Sequence, residues 1–173
     1  MTPAQLLTDA FNRVPEAAQS AVQGLDTEQL TRRPDPGANS VGWLVWHLSR
    51  VMDAQVADLA DREQAWTVDG WQQRFALPFD RDAHGYGQDS HEVAQVRVPG
   101  DLLLGYLAQI HEQTTAYLRT VTENDLDQVV DASWDPPVTV GVRLVSTLDD
   151  CVQHAGQAAY LRGLIDRDPG LGR

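Results

Sequence analysis

Apolar residues recur every three or four positions along four long stretches of this chain, and almost nowhere do they alternate with a period of two. A helix carrying one apolar stripe must bury it against another helix, so the pattern predicts an all-α fold, a bundle of four helices. The first stretch runs roughly from Pro3 to Leu25 with Thr2 as cap, and Leu7, Phe11, Val14, Ala18 and Val22 form its stripe. Pro15 falls inside it and is expected to kink or interrupt the helix. A short polar turn at "DTEQLTRR" and the breaker cluster "PDPGANS" lead to a second helix from Ser40 to Asp61, capped by Asn39 or Ser40. Asp101 is expected to cap the third, whose stripe is Leu103, Tyr106, Leu107, Ile110, Thr114, Tyr117, Leu118 and Val121. "DASWDPPVTV" reads as an extended loop. The fourth helix spans Gly141 to Asp166, with Val145, Leu148, Val152, Ala155 and Ala159 toward the core.

Between the second and third long helices, residues 62–99 form an irregular insertion in which short helices and loops are expected. Its five aromatics, Trp66, Trp71, Phe75, Phe79 and Tyr86, argue against disorder. So long an insertion in a small domain is usually functional or disordered. At 173 residues the chain fits one domain, residues 1–173, with a sizeable core.

A net charge of −12 argues against nucleic acid as a partner, because phosphate binding needs a basic face. No run approaches the ~18 apolar residues of a membrane span. The N-terminal stretch lacks the pattern of a secretory signal, and a lone cysteine, Cys151, cannot form an internal disulfide. A cytoplasmic location is the resulting expectation. All thirteen basic residues are arginine, which removes lysine Schiff-base chemistry. Cys151 reads as a small core residue.

"GWLVWHLSRV" holds one imidazole, His47, in an otherwise oily run, on the same helix face as Trp43, Leu44 and Val51. A buried imidazole needs a partner; a backbone carbonyl, a side chain or a metal would serve. On the fourth helix, "LDDCVQHAGQAAYLRGL" places Asp150 and His154 one turn apart, so their side chains project together. With His47 from a facing helix, these would give three nitrogen and oxygen ligands and leave coordination positions open, as in a catalytic zinc site. The competing reading is a simple ion pair on the fourth helix and a structural histidine on the second. Asp80 and His84 form a weaker pair in a Gly/Pro-rich loop; His84 and His91 read as exposed loop histidines, and His111 as a surface residue.

With "NSVGWLVWHLSRV", "GW…RF.LPFD…GYG" and "DDCVQHAGQAAYLRGL" in view, the chain resembles the DinB-like superfamily over nearly its whole length. The resemblance implies a four-helix bundle holding a divalent metal through one histidine of the second helix and an HxxxH motif on the last. His47 and His154 match two of those ligands; Asp150 stands where the motif has histidine, and maleylpyruvate isomerase relatives carry glutamate there. Zinc is the metal implied first, with nickel or iron as alternatives. Relatives use low-molecular-weight thiols, so the resemblance implies a mycothiol-type thiol S-transferase that attacks a small electrophile, with a role in detoxification. A hydrolase that activates water on the same metal is one alternative, and a non-enzymatic dimeric stress-response or binding protein is another. Related bundles are often dimers, so the resemblance also suggests a homodimer. In the pocket, Gln157 would act as a donor supporting His154, Trp43 would lie one turn from His47, and Tyr86 would serve as a lid. Arg50 and Arg81 are the candidates to meet an anionic thiol conjugate.

Overall fold

The computed structural model describes residues 1–168, 170 and 171. Its long helices are α1 (Pro3–Val22), α3 (Val41–Leu59), α7 (Gly100–Leu118) and α9 (Val140–Arg167). Between them lie the short helices α2 (Thr27–Leu30), α4 (Ala65–Val68), α5 (Trp71–Phe75), α6 (Ser90–Val93) and α8 (Glu123–Leu126), and two strands, β1 (Val129–Asp131) and β2 (Val138–Thr139). Around the bundle the order of neighbours is α1, α9, α3, α7, with α1 and α3 on one diagonal. The expected all-α bundle is the observed architecture. No helix among the described residues is long and apolar enough to cross a membrane.

Local chemistry explains most of the helix starts. Thr2, Asp26, Asp89 and Thr122 each accept from the third residue of the helix they precede, and that residue's side chain reaches back to the cap. Ser40 caps α3 by accepting from Trp43 N at 3.1 Å, and it is buried where water cannot replace it. Ser40→Ala is therefore expected to cost about 1 kcal/mol, read as a lower denaturant midpoint at unchanged slope.

Several expectations need correction. Pro15 does not interrupt α1, which is helical throughout. The buried residues Phe11, Val14 and Ala18 hold both sides of it against the core, and tertiary burial outweighs one missing hydrogen bond. Asp101 is not the cap of α7: Pro99 is, its carbonyl accepting from Leu102 N at 3.1 Å, and Asp101 lies in the first turn, where its charge suits the helix dipole. The "extended loop" contains an antiparallel ribbon pairing Val129 with Thr139 and Asp131 with Val138, strands too short to carry an alternation signal.

The apolar stripe of α9 is also displaced. Val140, Leu144, Thr147, Cys151, Ala155, Ala158, Leu161 and Ile165 face inward, whereas Val145 and Val152 are 58% and 49% exposed and Ala159 is exposed too. Apolar residues occur on more than one side of this long helix, so periodicity alone could not choose the packed face. The true orientation sets Asp150 and His154 at the edge of the seam with α3. There Cys151 Sγ donates to the Leu48 carbonyl at 3.5 Å, and this small side chain lets the two backbones approach. The insertion is anchored as its aromatics suggested: Trp66, Trp71 and Phe75 pack around Tyr106, and Phe79 lies 5.4 Å from the Trp46 ring. Tyr86 is the exception, at 88% exposure.

Candidate metal centre

Trp43, His47 and Arg50 occupy one face of α3, four and three residues apart, and all three are buried. The Trp43 ring stacks on the His47 imidazole with centroids 4.6 Å apart and planes 12° from parallel. His47 Nδ1 hydrogen-bonds the backbone carbonyl of His84. A carbonyl can only accept, so that nitrogen carries the proton and Nε2 keeps its lone pair. His47 is thus a structural histidine on one nitrogen and an available ligand on the other.

Across the seam, His154 Nε2 lies 3.5 Å from Asp150 Oδ2, and His47 Nε2 lies 3.9 Å from Asp150 Oδ1. His154 Nδ1 meets Gln157 Oε1 at 3.1 Å, so the glutamine accepts where the sequence suggested that it donates. The donor atoms of His47, Asp150 and His154 all lie within 4.8 Å of one another. Ligand atoms around a tetrahedral zinc ion stand roughly 3.4 Å apart, from bonds of about 2.0–2.2 Å. Asp150 Oδ1 is buried and has no hydrogen-bond partner, although a carboxylate oxygen excluded from water needs one. Two imidazoles offering lone pairs and an unsatisfied carboxylate oxygen suit a divalent cation.

The electrostatics of His47 and Asp150 agree with that chemistry. Burial pushes the His47 pKa down, against the pull of the His84 carbonyl, and favours the neutral ring a metal requires. Burial works to raise Asp150, but the hydrogen bond from His154 and the neighbouring imidazole charges hold its carboxyl below the usual range. Without a cation the hydrogen bond to Asp150 raises His154, so a metal would have to displace the proton on its Nε2. Cys151, adjacent in sequence, is fully buried and its thiol is pushed far up by desolvation, which leaves it a packing residue and not a nucleophile.

Beside His47 and Asp150 opens a cavity of about 560 Å³, bounded by α3, α9, the β-ribbon and the 84–86 segment. Val51, Ala54, Val138 and Val142 give it an apolar wall. Two largely exposed aromatics line it, Tyr86 from the insertion and Trp134 from the ribbon turn, the latter 66% exposed. Of the arginines proposed for this pocket, neither lines it. Arg50 is wholly buried, bonded to the Ala83 carbonyl, Gln64 and Tyr106, and Arg81 is on the exposed loop surface. The arginine that does line the cavity is Arg143, held by Gln55 Oε1 at 2.8 Å and by Asp58 and Asp131 at 3.5 and 4.0 Å. Its position seven residues before Asp150 places both on one helix face, a signal present in the sequence.

His84 is not the exposed loop histidine that its Gly-rich surroundings suggest. Its ring is half-buried and lines the cavity, its pKa lowered by burial, and its carbonyl orients His47. No sequence signal marks a backbone carbonyl as a partner. His111 is half-buried and hydrogen-bonds Asn12 Oδ1 at 2.8 Å, while His91 is exposed on α6. Asp80 is exposed and outside the His47–Asp150–His154 group.

Comparison with known proteins follows the same lines. A family model described as mycothiol-S-transferase (MST) matches residues 6–167. A crystal structure titled as the conserved protein of a locus from Enterococcus faecalis superimposes with a TM-score of 0.91 at 34% sequence identity, covering 97% of this chain and 99% of that one. No curated protein matches.

Proposed function

Since the chain belongs to the mycothiol-S-transferase family, within the DinB-like superfamily, we propose that it is a divalent-metal-dependent S-transferase. In this reading it joins a low-molecular-weight thiol of the mycothiol type to a small electrophile, as a detoxification step. His47, Asp150 and His154 would hold the cation, with zinc the first choice for two imidazoles and a carboxylate. The observation that carries the reading is the orphaned Oδ1 of Asp150 facing the Nε2 lone pair of His47, beside an open cavity.

When bound, a divalent cation supplies the positive charge that lowers a thiol's pKa into the neutral range. The residues of the chain then do the positioning. Trp43 and the His84 carbonyl fix the plane of His47, and Gln157 fixes His154, so the donors need little rearrangement. The apolar wall from Val51 to Val142 offers an electrophile a surface beside the thiol, which turns a bimolecular encounter into a local one. Arg143 is already partnered by two carboxylates, so it holds the ribbon to the helices and leaves little charge for a substrate anion.

Protein purified without chelators is expected to contain one zinc per chain by elemental analysis. It should consume an electrophile such as a haloalkane only when mycothiol is added. Consumption that proceeds equally without thiol would replace this reading with a water-activating hydrolase. A chain that takes up no divalent metal at all would overturn it.

A further inference from the structure

The three α3 side chains at positions 43, 47 and 50 reach onto one short piece of the insertion, and their order along the helix is reversed along that piece. Trp43 Nε1 donates to Gln88 Oε1 at 2.7 Å, His47 Nδ1 bonds the His84 carbonyl, and Arg50 Nε donates to the Ala83 carbonyl at 3.1 Å. Gly85 sits at the centre with φ +100°, and a Cβ there would lie 2.5 Å from His47 Nδ1 and 3.0 Å from Trp43 Cζ2. Backbone conformation and close approach both demand glycine. The segment is therefore seated on the helix by three attachments with no slack at its middle.

Arg50 is the only one of the three anchored in the deep core. It is wholly buried, its Nη1 lies 2.9 Å from Gln64 Oε1, 3.2 Å from the Tyr106 hydroxyl and 3.7 Å from Asp53, and its guanidinium lies 4.7 Å from the Trp66 ring centroid. Asp53 is itself fixed by Ala65 N, Trp66 N and the Tyr106 hydroxyl. A guanidinium presents its donors in a rigid fork, so a carbonyl that accepts from it is pinned in direction as well as distance. The next carbonyl along the chain is the one that accepts from His47.

We propose that Arg50 is a positioning residue: by pinning the Ala83 carbonyl it fixes the His84 carbonyl, which holds His47 with Nδ1 protonated and Nε2 aimed at Asp150 and His154. The consequence for metal affinity rests on the reading of the site given above; the geometry of the clamp does not. Without the pin the 83–84 peptide can turn, water can replace the carbonyl at Nδ1, and the ring can exchange tautomers. Loss of a partner that orients a ligand typically lowers metal affinity 10–100-fold.

The test uses two substitutions and two readouts. Arg50→Lys keeps a cation near Asp53 but replaces the fork with a point charge, and Gly85→Ala pushes the segment off His47 without touching the core pair. In the metal-free chain, nitrogen-15 NMR of the histidine rings should show wild-type His47 protonated on Nδ1 and a mixture of tautomers in both variants. In a competition titration with a chromophoric chelator, both variants should bind zinc about 10–100-fold more weakly at wild-type helix content. If Arg50→Lys does not fold, Gln64→Ala takes its place, since it removes one partner that orients the guanidinium and leaves the pair with Asp53 intact. A wild-type His47 protonated on Nε2, or variants that keep both the tautomer and the affinity, would overturn the proposal. A wild-type chain that binds no zinc would overturn the metal reading, and the tautomer measurement, made without metal, would still decide the clamp.

Discussion

Replacing His154 by alanine is expected to strip the chain of its metal while leaving the bundle intact. The imidazole is at the edge of the α3–α9 seam, its side chain 18% exposed, and its hydrogen bonds go to Asp150 and Gln157 on its own helix. Its ring packs edge-on against His47 and Trp43, with centroids 4.7 and 6.1 Å away, a contact at the rim of the seam and not in the centre of the core; alanine is the best helix former, so α9 has no reason to fray. The proposed cation would lose one of its three protein ligands. Because loss of a mere supporting partner costs 10–100-fold in affinity, loss of a ligand should cost upward of about 100-fold. Elemental analysis of the purified variant would then show well under one metal per chain, with an unchanged far-UV circular dichroism spectrum. Metal retained at the wild-type level would remove His154 from the ligand set.

Asp53→Ala is expected to have the opposite profile, a large loss of stability from a residue that no cavity exposes. Asp53 is fully buried and accepts from Ala65 N at 3.1 Å, Trp66 N at 2.8 Å and the Tyr106 hydroxyl at 2.8 Å, with Arg50 Nη1 at 3.7 Å. Alanine would strand a buried guanidinium and leave two backbone amides and a phenol without an acceptor. Removing one partner of a buried ion pair costs about 3–5 kcal/mol, much of it the cost of the charge left behind. For a domain of this size that corresponds to a fall in Tm of roughly 6–20 °C. Denaturant titration would read the same loss, and a midpoint within error of wild type would mean that Arg50 finds another counter-charge. Replacing Arg50 and Asp53 together with apolar residues should recover part of the loss, since the stranded charge is then gone.

The residues themselves show how far the sequence reached. The stripes of α1 and α7 are the ones that periodicity gives, with Phe11, Val14 and Ala18 and then Leu103, Tyr106, Leu107 and Ile110 buried. The stripe of α9 is not, because Val145 and Val152 satisfied the same spacing as Leu144 and Cys151 and only a neighbouring helix could choose between them. At the site, i and i+4 spacing put Asp150 beside His154 without help from the fold, as helix geometry requires. The approach of His47 to that pair, across about a hundred residues of chain, is one of two readings its place on a facing helix allows, and the family resemblance, not spacing, favours it over a structural histidine. Only their charge marks Arg50 and Arg81 in the sequence, and charge does not say whether an arginine faces a pocket or pairs inside the core.

What the chain determined by itself is therefore local. Helix starts follow from side chains bonding the next turn, two buried stripes follow from apolar periodicity, and one carboxylate–imidazole pair follows from the pitch of a helix. Tertiary structure decided which side of α9 is buried, which nitrogen of His47 is free, and that Arg143 and not Arg50 lines the cavity. These outcomes depend on atoms supplied by other elements, a carbonyl at His84 and carboxylates at Asp53, Asp58 and Asp131. Local periodicity encodes the direction a side chain leaves its own helix, but not what will be standing there to meet it.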